Sequence, residues 1–366
     1  MRVAFVHDWL VSYRGGERVL EALLELFPDA PVYTLFYDPK SMPISIRERE
    51  IHDIPSIRPF RRIRKLLLPL YPTLIESFDL EDYDLVISTS SCVAKGVITG
   101  PQTKHLCYIH SPMRYIWDQR QHYFASIYKI PVLGLIAKLM TSYLRLWDTT
   151  SANRVDRFIA NSSFINDRVK RFYQRDAAVI PPPVDVDSFR TATAKQTAEE
   201  PYFLVAGAFV PYKRFDLAIK ACESIGKRLI VAGSGPDEKK LKSMTKSPLV
   251  SFVSKPDKNQ WIDLFRGAQA LIFPGVEDFG ITAIEAMSAG TPVIAFKAGG
   301  ALDFIEPGKN GEFFTEASVK GLAEKLASFD ASHYASSQLT EYANAFEKHV
   351  FQDKITKELS QLVGGV

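Results

Sequence analysis

The chain has 366 residues, 46% hydrophobic and 24% charged. That is a soluble globular composition with length for two domains, and it excludes a disordered chain. The 45 Lys and Arg against 42 Asp and Glu give a formal charge of +3, too small a surplus for a general nucleic-acid binder, though local basic patches stay open. Cys92, Cys107 and Cys222 are far apart and lack metal-site spacing, which argues against a disulfide framework or a zinc site and for a reducing, cytoplasmic setting.

The start, MRVAFVHDWL, is interrupted by His7 and Asp8, unlike a signal peptide. Val3-Ala4-Phe5-Val6 reads as a buried strand and Gly15-Gly16 as the loop after it. Val19, Leu20, Leu23, Leu24 and Phe27 then recur at helical spacing. Strands are predicted over residues 84–88, 105–110 and 156–160. The longest apolar stretch, 130–147, carries Lys138 and Arg145 and is too short for a clean membrane span. Pro181-Pro182-Pro183 stops the chain, and the polar stretch 191–200 follows. A second series of strands is expected at 202–206, 228–232, 250–253, 270–273 and 292–296, with helical patterns between them. Residues 342–363 read as helical, with Phe346, Val350, Ile355, Leu359 and Leu362 on or near one face. The alternation predicts an α/β protein of two doubly wound, Rossmann-like domains joined near 183–200, with a cleft between them and ligands outside the carboxyl ends of the strands.

The strongest chemical signal runs from Phe273 to Met287, FPGVEDFGITAIEAM. A strand ends at Phe273 and a helix is expected to begin near Gly280. The free N–H groups of Gly280, Ile281 and Thr282 then offer a seat for a phosphate, with Phe279 beside them. Glu277 lies in the loop and Glu285 in the helix. Two carboxylates so placed suit hydroxyls at opposite ends of an elongated ligand with phosphates between them, the shape of a sugar nucleotide.

Glu277, Glu285 and the following Gly290-Thr291-Pro292-Val293-Ile294-Ala295 resemble the retaining GT-B glycosyltransferases of the GT4 type, and the resemblance extends over nearly the whole chain. It implies that Glu277 contacts the donor sugar and Glu285 the ribose. In Gly207-Ala208-Phe209-Val210-Pro211-Tyr212-Lys213-Arg214, Lys213 matches the family lysine, placed to hold the diphosphate leaving group. Ala208 stands where the family has an arginine; Arg214 and Arg14 are candidates to replace that cation. Gly15-Gly16 resembles the family's glycine loop, where the backbone approaches a phosphate closely. His110, in Tyr108-Ile109-His110-Ser111-Pro112, ends a predicted strand. A lone histidine is usually structural, but the resemblance puts one in a similar segment against the donor sugar.

Arg114, Tyr115, Trp117 and Asp118 are candidates for the acceptor side, Asp118 equally for a helix cap, and Ser162 or Ser163 for the cap of the next helix. The two-aspartate patterns Asp82-Tyr83-Asp84 and Asp185-Val186-Asp187 read as surface turns, and the resemblance implies no metal or other cofactor. The basic run Arg58, Arg61, Arg62, Arg64 and Lys65, with the amphipathic stretch 128–147, reads either as peripheral contact with an anionic membrane or as a solvated face plus core. The domains are expected at 1–183 (acceptor) and 184–345 (nucleotide sugar), with 346–366 a terminal helix crossing back. The resemblance is greatest to bacterial mannosyltransferases of surface-polysaccharide synthesis. It implies a GDP-mannose donor, a saccharide or lipid-linked saccharide acceptor, a front-face mechanism and a cytoplasmic location at the inner face of the membrane. The rival readings are a GT-B sugar-nucleotide epimerase and a degenerate binding module, the latter favoured by Ala208.

Overall fold

A computed structural model of the chain describes residues 1–118, 127–128, 130–190 and 200–364, with Lys65 by its backbone alone. Most of the polar stretch 191–200 and Lys129 of the amphipathic stretch lie outside the described residues. The chain divides into two compact units, Met1–Pro183 with Phe351–Val366, and Val184–Val350.

The first unit holds a seven-stranded, all-parallel sheet: β1 (Val3–His7), β2 (Val32–Thr34), β3 (Ile51–His52), β4 (Leu85–Ser90), β5 (Lys104–Ile109), β6 (Arg157–Ala160) and β7 (Ala177–Val179). Their order is β3-β2-β1-β4-β5-β6-β7. The chain leaves β1 toward one edge and returns through β4 on its other side, so the switch point, where such sheets bind ligands, lies between β1 and β4. Both faces of this sheet are covered, which is why its central strands read as continuous apolar runs. Phe5, Leu85, Ile87 and Leu106 pack into one core cluster, while Ala4, Val6 and Val86 pack into another on the opposite face.

The second unit has a six-stranded parallel sheet of β8 (Tyr202–Ala208), β9 (Leu229–Ser234), β10 (Val250–Ser254), β11 (Ala268–Phe273), β12 (Val293–Phe296) and β13 (Gly311–Phe314), ordered β10-β9-β8-β11-β12-β13. Its switch point lies between β8 and β11. Period two is visible in β8: Leu204 and Ala206 enter one core cluster, Phe203 and Val205 the other.

The carboxyl-terminal segment is not one helix from residue 342. A helix over Ser336–Ala343 gives way to a single 3₁₀ turn, and the terminal helix runs over Lys348–Val363. The break has a packing cause. Phe346 is held in the second unit's core beside Phe279, and its carbonyl accepts a hydrogen bond from Val184 N–H. Phe351, Ile355 and Leu359 instead join the first unit's core with Phe5 and Tyr108. No helix among the described residues is long and apolar enough to cross a membrane.

Candidate functional site

In the second unit, the loops that follow β8 and β11 flank its switch point. A single 3₁₀ turn, Pro211–Lys213, places the Lys213 side chain inward, and that residue is 7% exposed. The loop after β11 crosses this turn at very close range: a side chain at Gly275 would stand 2.5 Å from the Tyr212 carbonyl oxygen, so only glycine allows the approach. The result joins two of the predicted residues, with Lys213 Nζ donating to Glu277 Oε1 at 2.6 Å. Charge-assisted contacts of this length are the strong ones.

Gly280 caps the Ile281–Ser288 helix with φ of 120°, a conformation open to glycine and strained for other residues. The first-turn N–H groups of Ile281 and Thr282 have no intrahelical acceptor, so this end of the helix carries partial positive charge. Glu285 lies one turn further in and is buried. Trp261 Nε1, on the Lys258–Gly267 helix, donates to its Oε2 at 3.2 Å and fixes its direction. Trp261 gave no signal in the sequence, because its helix reads as ordinary amphipathic packing. The Phe279 ring is core, against Phe304 and Phe346, so its backbone is what it offers a ligand. Arg214 has left-handed backbone (φ 53°) at the start of the Phe215–Ser224 helix, and its Nε pairs with Asp216 Oδ1 at 3.1 Å. Its charge is therefore shared with a carboxylate.

In the first unit, the Gly15–Leu24 helix starts at the glycine pair, and Arg14 N–H donates to Glu17 Oε2 at 2.8 Å, as in a capping box. A side chain at Gly16 would lie 3.4 Å from His110 Nε2, so the glycine loop and the histidine read separately in the sequence are neighbours. His110 directly follows β5, and its N–H donates to the Ser90 carbonyl at 2.8 Å. Its Nε2 is buried with no hydrogen-bond partner among the described residues. Burial, and then the nearby His7, push its pKa down to about 3. The imidazole is therefore neutral at physiological pH, with one nitrogen unsatisfied, and such an atom is a natural partner for a ligand hydroxyl.

Sequence reasoning missed the polar cluster behind His110. His7 Nδ1 bonds Thr89 Oγ1 at 2.6 Å, and its Nε2 stands 3.8 Å from Glu17 Oε1. Burial alone would raise the Glu17 pKa; the neighbouring His7 and the backbone N–H groups of Glu17 and Arg14 together outweigh it, and the net shift is downward. Asp8 takes the backbone N–H groups of Ser91, Val93 and Ala94 at 2.6–2.7 Å, tying the end of β1 to the turn after β4. The only sequence signal was that His7 and Asp8 interrupt an apolar run.

The candidate acceptor residues serve structure more visibly. Trp117 stacks on Phe172 with ring centres 4.4 Å apart and donates from Nε1 to Asp148 at 2.8 Å. Asp118 is ion-paired with Arg168. Arg114 donates weakly to Ser111 Oγ at 3.4 Å, and Tyr115 packs half-buried on the core. Ser162 caps the Ser163–Tyr173 helix. The two aspartate patterns lie in surface pairs with Arg2, Lys258 and Arg190. Among the described residues no group of three His, Cys, Asp or Glu could hold a metal ion.

Two family models match this chain. Residues 13–188 match Glycosyltransferase Family 4, and residues 188–346 match Glycosyl transferases group 1. The chain is 30% identical over 196 residues to a D-inositol 3-phosphate glycosyltransferase of Streptomyces scabiei, a match covering 45% of this chain and 44% of that protein. It is 24% identical over 419 residues to the mouse alpha-1,3/1,6-mannosyltransferase ALG2, covering 99% of this chain and 96% of the relative. Its fold is similar to that of Anabaena HepE, solved in complex with UDP, with a TM-score of 0.73 at 18% identity over 99% of this chain and 100% of that one. With the two models running from residue 13 to residue 346 over two Rossmann-like units, the chain belongs to the GT4-type glycosyltransferases of GT-B architecture.

Proposed function

We propose that the protein is a retaining hexosyltransferase that moves mannose from GDP-mannose to a saccharide acceptor carried on a lipid, at the inner face of a membrane, in bacterial polysaccharide synthesis. One observation carries the reading. The Lys213–Glu277 pair sits at the second unit's switch point, next to the open start of the Ile281–Ser288 helix, with Glu285 further along that helix. A cation, a helix start and two carboxylates in that order match a sugar nucleotide: sugar at Glu277, phosphates at Lys213 and the helix start, ribose at Glu285.

The chemistry follows from where charge develops. As the bond from the sugar's anomeric carbon to the diphosphate oxygen breaks, negative charge grows on the leaving phosphate. Lys213 and the N–H groups at the helix start are fixed to receive it. The acceptor hydroxyl attacks from the same face and gives its proton to the leaving phosphate, so no protein base is required. His110, neutral and unsatisfied at Nε2, orients a sugar hydroxyl. The step calls on no metal, because Lys213 and the helix dipole do the electrostatic work. The likeness to ALG2 supports mannose, and the UDP complex of HepE supports a nucleotide-linked donor.

Thermal shifts with GDP-mannose, UDP-glucose, UDP-N-acetylglucosamine and UDP-galactose test this on the wild type and on Glu285→Ala. A shift selective for GDP-mannose and lost in the variant is expected. A shift selective for a UDP sugar replaces the donor, and no shift with any donor overturns the reading.

A further inference from the structure

The Pro131–Ser151 helix has an unusual outer face. Its inner face, Gly134, Ala137, Thr141, Leu144 and Asp148, is buried at alternating three- and four-residue spacing, as expected of a helix laid on a core. The opposite face should then be polar. Instead it exposes Val132, Leu135, Ile136, Leu139, Tyr143 and Leu146, with Val132 70% and Leu146 66% exposed. The segment Pro55–Leu70, a run of 3₁₀ turns containing Pro59 and Pro69, does the same with Phe60, Ile63, Leu66 and Leu70. The two elements belong to one body, since Ile57 and Leu68 share a core cluster with Ala137 and Leu144. Apolar surface on this scale marks a contact.

The charges around it say with what. Residues 54–75 contain five Lys or Arg and residues 127–147 contain three, with no Asp or Glu in either stretch, in a chain whose totals are 45 and 42. Arg58, Arg61 and Arg62 line an open pocket of about 460 Å³ with Phe36 and Tyr37. Arg58 and Arg61 are partly neutralised by Asp53 and Asp38, whereas Arg62 is exposed and has no acidic partner among the described residues. Greasy side chains beside a local excess of bases are the pattern of an element lying in the plane of an anionic bilayer, apolar residues in the acyl boundary and cations on the phosphates.

We propose that the first unit docks on an anionic lipid bilayer through the outer face of the Pro131–Ser151 helix, with Arg58, Arg61 and Arg62 receiving lipid phosphates. The surface stands on its own geometry; that it delivers a lipid-linked acceptor rests on the transferase reading above.

The test is co-sedimentation of the full chain with phosphatidylcholine vesicles, with and without phosphatidylglycerol, at low and high salt. Two variants are compared, Leu135→Ser/Ile136→Ser/Leu139→Ser and Arg58→Gln/Arg61→Gln/Arg62→Gln, each first checked for an unchanged melting temperature. Wild type is expected to pellet with the anionic vesicles, to be released by high salt, and to lose at least tenfold in partitioning in either variant. Wild type remaining in the supernatant at low salt, or either folded variant pelleting like wild type, overturns the proposal. So does a wild-type dimer in size-exclusion chromatography that the serine variant converts to monomer, since the face would then belong to a second copy. No donor or acceptor enters this assay, so its failure removes the membrane location but leaves the donor and transfer chemistry standing, and failure of the donor-binding test leaves the docking surface standing.

Discussion

Lys213 answers to two demands, because the carboxylate that holds it in place, Glu277, is also the group read as the sugar contact. The side chains are 9% and 17% exposed, so removing one partner strands a largely desolvated charge, at a cost of about 3 kcal/mol. Lys213→Met is therefore expected to lower the melting temperature and to cut turnover by roughly 10²- to 10³-fold, the loss typical of one donor to a developing oxyanion. Glu277→Gln keeps an acceptor for Lys213 but removes its counter-charge, so it should melt below wild type by less than Lys213→Met while still losing turnover. Calorimetry with steady-state kinetics separates the two effects, and a Lys213→Met enzyme that is destabilised but turns over normally would make the pair purely structural. A second residue prediction concerns Trp261, whose indole N–H holds Glu285. Trp261→Phe should raise the donor KM about tenfold with little change in kcat, since a hydrogen bond to a charged group contributes about 1.5 kcal/mol or more. Lys213, Glu277 and Glu285 were nominated one at a time, by residue type, position after a strand and the family resemblance. Their pairing was not, since 64 residues separate Lys213 from Glu277. Trp117, an acceptor-side candidate by its place near a strand end, also stacks on Phe172, a contact that only the fold reveals.

At the scale of elements, β5 and the residue after it carry two histidines that the fold keeps neutral. Burial brings His105, bonded to Ser88 Oγ at 2.8 Å, down to about 4, and His110 to about 3. In the unfolded chain both bind a proton near 6.5. Below that pH the unfolded state holds more protons than the folded one, so stability falls as pH falls, down to the folded values. Glu17 acts in the same direction, because its depressed folded pKa gives stability that is lost as the carboxyl protonates. Guanidinium unfolding at pH 7.5, 6 and 5 should show a loss approaching 1.4 kcal/mol per pH unit for each histidine. His110→Gln should remove one proton's share of that slope, and a flat profile would mean the histidines are not held neutral. The Ile281–Ser288 helix gives a second element-scale test. A methyl at Gly280 would meet the Phe273 ring at 2.8 Å with φ at 120°, so Gly280→Ala is expected to cost about 1–3 kcal/mol and to lower the melting temperature by several degrees. Long strands buried on both faces were legible as apolar runs. The missed strands β2, β3, β7 and β13 have two to four residues each; too short to show a period, they are strands only because a neighbour pairs with them.

For the whole molecule, the chain passes between the two units twice, after Pro183 and again after Val350, and the second passage gives the first unit an element made last. The terminal helix buries Phe351, Ile355 and Leu359 in the cluster that holds Phe5, Val19 and Tyr108, with Phe351 and Tyr108 edge to face at 5.8 Å. Polar contacts fix its register: Gln352 Nε2 donates to the Ala22 carbonyl at 2.9 Å, and Arg157 Nη2 pairs with Glu358 at 2.6 Å. Each apolar anchor contributes roughly 1.5–3 kcal/mol through burial. Domains of this size are commonly stable by only about 5–15 kcal/mol, so removing all three takes away much of what holds the first unit folded. The second unit has no such debt, because its two core clusters are drawn from residues 184–346. A chain ending at Val350 should therefore lose the first unit's melting transition in calorimetry and keep the second unit's, including any shift caused by the donor. Phe351→Ala in the full chain should reproduce part of the loss, at about 3 kcal/mol or more. If the truncated chain keeps both transitions at their wild-type temperatures, the terminal helix is an ornament on the first unit rather than part of its core. If it loses both, the units do not melt separately, and their stability belongs to the chain as a whole.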